Sequence, residues 1–237
     1  MIEPEYLQPV LMSPSDINRC VTQARREAFC CSDSLNSLAQ KGHHGAIAWI
    51  RRFENARNNK NKLLPEVLAR AGMRWYEMNA DNKAHLVMSL AYGDRLFVGR
   101  LDPPAFINQR LMMLNSEGNV DIPFAHALLN STIGLVMIEA IGFGRGLGAL
   151  DLNKNRIEAR LHILNPEILN DQQKERILNL FHPIATREIL EISDELEQLD
   201  RIRFDDAILE AYEIDVAREV IYDALRTLIE IRRAALS

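Results

Sequence analysis

Two short stretches carry residue types and spacings with chemical potential. The first has glycine at 142, 144, 146 and 148 with Arg145 at its centre. Such a run looks like a nucleotide-binding loop, whose backbone amides cradle phosphate. The dinucleotide fingerprint, however, places its glycines after a strand and before a helix. Here an apolar helical stretch from Ala127 to Ile141 comes first, and the strand-like Ala149-Leu150-Asp151-Leu152 follows. The run is therefore read as a flexible hinge where backbone comes close to something large. The second stretch is Asp102-Pro103-Pro104. A polar residue, two prolines and an aromatic ring can hold an extruded base, the polar group accepting from its exocyclic amine while the ring stacks. Ala105 stands where the ring belongs and Phe106 comes one residue late. The segment reads instead as a rigid double-proline turn after a strand over 95–101.

No other catalytic constellation stands out. The six histidines, at 43, 44, 85, 126, 162 and 182, have no metal-ligand spacing, and Cys20, Cys30 and Cys31 make neither a zinc cage nor a disulfide framework. A nucleophile elbow and a phosphate-binding P-loop are missing too. The expectation is no catalytic residue, no metal and no cofactor. The acidic N-terminus lacks a secretory pattern and no apolar run reaches the length of a membrane span, so a cytoplasmic protein is expected.

Charge is uneven. Residues 41–110 hold twelve Lys/Arg against six Asp/Glu, a local charge of +6, whereas residues 111–237 hold thirteen against twenty-two, or −9. The basic middle mixes cations with amides and aromatics: Arg51, Arg52, Arg57, Lys60, Lys62, Arg70, Trp75, Tyr76, then Asn108, Gln109 and Arg110. Lys and Arg neutralise phosphates, while Asn, Gln and Arg pair with base edges. A solvated basic face is the plainer alternative.

The elements that must position these residues follow from pattern. Ser13 caps a helix through about Arg26, residues 27–31 form a buried strand, and Ser32-Asp33-Ser34 caps a helix that Gly42 ends. A helix over 46–55 precedes the basic loop 57–62, and Pro65 opens another. Strands are expected at 74–78, 85–90, 95–99 and 107–114, with turns at 92–94 and 115–119. Helices follow at 168–181, stopped by Pro183, then at 187–199 and 204–212. A last helix, capped by Asp215, runs to Leu236, with Val216, Val220, Ile221, Leu225, Leu228 and Ile229 as its stripe. The fold class is mixed α/β (α+β): a β-rich central domain over 1–166 framed by helices, and a helical C-terminal region over 167–237.

Several stretches, in order, resemble the C-terminal target-recognition region of adenine-N6-specific DNA methyltransferases of the fused restriction–modification kind. They are Glu3-Pro4-Glu5-Tyr6-Leu7 through Ser13-Pro14-Ser15-Asp16-Ile17, Arg74-Trp75-Tyr76-Glu77-Met78, Leu128-Leu129-Asn130-Ser131-Thr132, the glycines 142–148, Leu161-His162-Ile163-Leu164-Asn165-Pro166 and Arg203-Phe204-Asp205-Asp206-Ala207-Ile208-Leu209-Glu210. The resemblance implies a domain that grips double-stranded DNA and reads bases, without the catalytic half that binds S-adenosylmethionine. It further implies a specificity subunit or truncated fragment partnered by a methyltransferase catalytic subunit or domain. On that footing Arg51, Arg52, Arg57, Lys60 and Lys62 contact phosphate; Asn108, Gln109 and Arg110 read base edges; and Arg145, among Gly142, Gly144, Gly146 and Gly148, contacts DNA. Trp75 and Tyr76 are core or base-stacking, and Asn130 and Ser131 cap or cross-link their helix. The alternative is a protein–protein adaptor using the acidic tail, net −9 over 187–230.

Overall fold

The computed structural model describes residues 1–79, 82–114, 120–145 and 148–234, with Arg145 described for its backbone alone. Gly146, the turn expected at 115–119 and the helix end expected at Leu236 lie outside the described residues. The strands are β1 (Leu7–Leu11), β2 (Val21–Thr22), β3 (Arg26–Phe29), β4 (Ala84–Ser89), β5 (Ala91–Tyr92), β6 (Gly99–Ile107), β7 (Leu111–Leu114), β8 (Phe143–Arg145) and β9 (Ala149–Asp151). The helices are α1 (Leu35–Lys41), α2 (His44–Phe53), α3 (Leu64–Leu68), α4 (Ile122–Leu129), α5 (Thr132–Ile141), α6 (Lys154–Arg160), α7 (Asp171–Thr186), α8 (Ile192–Glu195), α9 (Leu199–Ala211) and α10 (Arg218–Ala234). The fold is α+β, as expected.

Two compact units divide the chain: Met1–Leu11, Ala24–Lys83 and Pro104–Ile107 form the first, and Met12–Gln23, Ala84–Pro103 and Asn108–Ser237 the second. Residue 166 falls inside the second. In the first unit β1 runs antiparallel to β3, Leu7 opposite Phe29, and parallel to the end of β6, Val10 opposite Phe106. Its core gathers Tyr6, Phe29, Leu38, Ala46, Ile50 and Tyr76. In the second, β2 runs parallel to the start of β6, β4 pairs antiparallel with β7, and β5, β9 and β8 make a small antiparallel sheet. Its helical core is built on Phe124, Leu128, Ile177, Phe181, Phe204 and Ile208.

Several expected elements come out differently, each for a local reason. The Ser13 cap is real, accepting from Ser15 N–H, but it opens only a single turn, Pro14–Asp16. Beyond it Ile17 and Cys20 are buried, and the β-branched Val21 and Thr22 pair with Arg100 and Leu101 rather than continue a helix. Arg74–Met78 joins no strand ladder; instead the Tyr76 hydroxyl donates to the Asp33 carbonyl at 2.9 Å. The expected strand start at Arg95 moves to Gly99, and β6 continues through both prolines, with a cis Asp102–Pro103 bond. Pairing with β2 ends at Leu101 and pairing with β1 starts at Phe106, so neither proline stands where those ladders need an amide donor.

Asn108 breaks the expected 107–114 strand: its Oδ1 accepts Arg110 N–H, and Leu111 N–H donates to its carbonyl. The long apolar helix breaks likewise, α4 and α5 meeting at a 70° bend where Ser131 caps α5 through Gly134 N–H. A Cβ on Gly134 would lie 2.6 Å from the Leu128 and Leu129 carbonyl oxygens, so this bend requires glycine. Pro183 does not stop α7, because it lies in the last turn, where burial of Ile184 and Ala185 offsets one lost hydrogen bond. No single helix spans 187–199; Ile189 and Ile192 donate to the Asn18 and Asp94 carbonyls and keep its first half extended. On α10 the buried face is Tyr222, Leu225, Ile229 and Arg232, whereas Val216 and Val220 are exposed. Among the described residues no single helix is long and apolar enough to cross a membrane.

Candidate nucleic-acid interface

The basic segment of the first unit hangs from a well-anchored helix. Both oxygens of the Glu3 carboxylate accept from the start of α2, from Gly45 N–H at 2.9 Å and Ala46 N–H at 2.8 Å. The helix flank is then fixed by rings: Trp49 stacks on Phe29 at 4.1 Å and on Trp75 at 6.0 Å, and tilts against Phe53 at 4.7 Å. Trp75 and the buried Tyr76 are thus packing residues. Arg51 and Arg52 project exposed from the last turn of α2, where cations also suit the helix dipole. The Arg52 guanidinium sits 5.4 Å from the Phe53 ring. Arg57, Lys60 and Lys62 follow in an exposed loop.

Charge also divides between the units, less steeply than between the sequence blocks but with the same sign. The first holds eleven Lys/Arg against eight Asp/Glu, or +3; the second holds seventeen against twenty-five, or −8. Among the described residues, Arg51, Arg52, Arg57, Lys60, Lys62 and Arg70 join no ion pair. Lys41 and Arg74 bind Asp33 and Glu77. Arg25, Arg26 and Lys83 of the first unit join no ion pair among the described residues either, so six of its nine unpaired cations lie along α2 and the chain that follows it.

The remaining candidates lie in the second unit. Asn108, Gln109 and Arg110 form the turn between β6 and β7, with the Asn108 oxygen spent on Arg110 N–H at 3.1 Å. The expected hinge at the glycine run is a β-hairpin: β8 pairs with β9, Arg145 opposite Ala149. Its described glycines meet protein. A Cβ on Gly142 would strike Leu150 at 2.3 Å, and the Cβ positions of Gly144 and Gly148 face Arg232 and Arg233 of α10. The Arg232 guanidinium donates to the Gly148 carbonyl, and Arg233 pairs with Asp94. The Arg145 side chain and Gly146 lie outside the described residues.

The Asp102 motif does not form a base pocket. Asp102 is exposed beside Arg100, 3.7 Å away, whereas Ala105 and Phe106 are buried in the first unit. Among the described residues no group of three His, Cys, Asp or Glu could hold a metal ion. His126 is a core residue: its Nε2 lies 2.9 Å from the Val98 carbonyl, and burial pushes its pKa down to about 3. Asn130 grips the same peptide, accepting from Val98 N–H and donating to its carbonyl, each at 3.0 Å.

Sequence reasoning missed a buried ionic scaffold in this unit. Asp205 accepts from Thr132 N–H at 2.9 Å, the Thr132 hydroxyl at 2.6 Å and the Tyr222 hydroxyl at 2.9 Å, tying α5, α9 and α10. Arg201 donates to Glu195 at 2.7 Å and to the Asn130 carbonyl at 2.5 Å, and Arg187 bridges Glu195 and Asp200, both at 2.8 Å. A separate buried pair, Arg232 with Glu139, did leave a signal, since Arg232 falls three and seven residues after Ile229 and Leu225, on the buried face of α10.

No family model and no curated protein matches the chain. Its fold resembles a solved structure, the type IIG restriction endonuclease BpuSI, with a TM-score of 0.60 and 11% identity. The match covers 99% of this chain and 27% of that one, so the chain spans about a quarter of that enzyme's length.

Proposed function

We propose that the chain is a sequence-specific duplex-DNA recognition module of a restriction–modification system. In this reading it serves an S-adenosylmethionine-dependent adenine-N6 methyltransferase subunit or domain and does not itself transfer the methyl group. The observation that carries the reading is the fold likeness: nearly the whole chain corresponds to a part of a restriction endonuclease. The charge division supports it. A +3 unit with a run of unpaired cations suits phosphates, and a −8 unit is repelled by them. Phosphate contacts fall to Arg51, Arg52, Arg57, Lys60 and Lys62, and Arg145 is the cation offered by the hairpin. Seven of the fourteen carboxylates between 187 and 230 are held in ion pairs, which counts against an acidic adaptor tail.

The test is fluorescence anisotropy with mixed-sequence duplexes across a salt series. Binding whose logarithm falls steeply and linearly with log salt is expected, with about 0.9 in slope for each phosphate neutralised. A chain that ignores duplex at low salt but captures a basic protein would establish the adaptor instead.

A further inference from the structure

Between α2 and α3 the chain closes a small loop whose backbone is satisfied from within. Arg57 and Leu63 form an antiparallel bridge. Leu64 N–H donates to the Ala56 carbonyl at 2.8 Å, Asn58 N–H to Lys62 at 2.9 Å and Asn61 N–H to Asn58 at 2.9 Å. The Asn58 side-chain oxygen accepts from both Lys60 N–H and Lys62 N–H, at 2.9 and 3.0 Å. Arg57 braces the far side by donating to the Asn61 carbonyl at 2.7 Å. Asn61 takes the left-handed conformation, φ 59°, which asparagine tolerates better than most residues. The loop is a preformed tip, so a ligand need not supply its ordering cost.

The tip exposes four successive side chains: Asn59, Lys60, Asn61 and Lys62. The asparagines differ in what they have left to offer. Asn58 and Asn108 have committed their side-chain oxygens to backbone amides, whereas the side-chain amides of Asn59 and Asn61 make no hydrogen bond among the described residues, and of these two Asn61 is the one whose backbone carries the left-handed turn. A free carboxamide presents a donor and an acceptor side by side, the pair that matches N7 and N6 of adenine in the major groove. Two lysines within three residues of it can hold the flanking phosphates.

We infer that the 57–63 loop is a groove-reading finger, with Asn59 on an adenine edge and Lys60 and Lys62 on phosphates. This rests on the DNA-recognition reading and moves base readout away from 108–110. The experiment selects duplexes from a randomised library with the full chain, as wild type, Asn59→Ala and Lys60→Ala/Lys62→Ala. Each protein's binding is then titrated with salt. Wild type should enrich a motif. Asn59→Ala should lose discrimination at one adenine position by about tenfold or more with its salt slope unchanged. The double lysine variant should keep the motif while its slope falls by about 2. Asn59 holds nothing in the fold, so unchanged melting is expected. An Asn59→Ala protein with the wild-type motif and discrimination overturns the finger and leaves DNA recognition standing. Wild type that binds duplex without any motif overturns the finger and the sequence specificity of the proposed function, leaving only non-specific duplex binding. Wild type that retains no duplex overturns both.

Discussion

The Arg232 guanidinium donates through Nε to the Glu139 carboxylate at 2.6 Å, joining the end of α10 to α5 across 93 residues. Both side chains are buried, and the same guanidinium reaches the carbonyls of Gly148 and Gly93. One cation thus ties together α5, the glycine hairpin and the turn after β5. Burial raises the Glu139 pKa, and Arg232 pulls it back.

Removing the cation should therefore cost more than removing the pair. Arg232→Ala leaves a buried carboxylate uncompensated, with an expected loss of about 3–5 kcal/mol in urea unfolding. Arg232→Met/Glu139→Leu should recover much of it. The Arg232→Ala deficit should also shrink at acid pH. A carboxyl whose folded pKa is raised contributes stability below that value and loses it as pH rises. A pH-independent deficit, or a double variant as weak as the single, would show that the pair does not act as a unit.

His126 sets a second pH dependence, of opposite sign. Its folded pKa, near 3, lies below the ordinary 6.5, so the unfolded chain takes up this proton first as pH falls. Stability is then lost between pH 6.5 and about 3, at roughly 1.4 kcal/mol per unit well inside that window. Glu139 and Asp205, raised by burial, oppose this as they take up protons in the folded state. Unfolding midpoints at pH 7 and pH 5 should draw together in His126→Gln. Parallel pH profiles for variant and wild type would assign the loss to other groups.

The glycines of the hairpin are not equivalent. A Cβ on Gly142 would lie 2.3 Å from Leu150 Cδ1 and 2.8 Å from Cγ, and Leu150 is buried with nowhere to go. At Gly144 the nearest atom is 3.4 Å away, an ordinary contact. Gly142→Ala should cost about 1–3 kcal/mol by overpacking, and Gly144→Ala well under 1. Relief of the Gly142→Ala loss by Leu150→Ala confirms the cause; equal costs at both glycines would refute it.

Caps and stops were legible in the sequence because they act locally. Ser34, Gly42 and Ser131 each sit at a helix end through a contact three or four residues away. Misread segments were decided from far along the chain. Val21 and Thr22 became strand because β6 lies beside them, Pro183 stayed helical because Ile184 and Ala185 are core, and β6 ran through two prolines because its partners change there. For the candidate site, the basic stretch could be read but its order could not. That Asn58 folds the loop, leaving Asn59 free, depends on hydrogen bonds rather than composition. The glycine run misled because glycine signals close approach without naming the neighbour, which for Gly144 is α10.

The hairpin is thereby a support rather than a hinge, and this sharpens what is expected of Arg145. The β8 backbone is held by β9, with Gly144 opposite Leu150 and Arg145 opposite Ala149, and Gly144 rests on Arg232. A cation on such a braced strand end can meet a fixed position on DNA without ordering its own backbone. Arg145→Ala should therefore weaken duplex binding by roughly 1–3 kcal/mol with a change in preference at one base pair. Arg51→Ala/Arg52→Ala should instead lower the salt slope by about 2 and weaken all sequences alike. Anisotropy titrations over a salt series with two or three duplex sequences separate the two patterns. Unchanged affinity and preference in Arg145→Ala would remove the hairpin from the interface and leave the first unit as its whole electrostatic footprint.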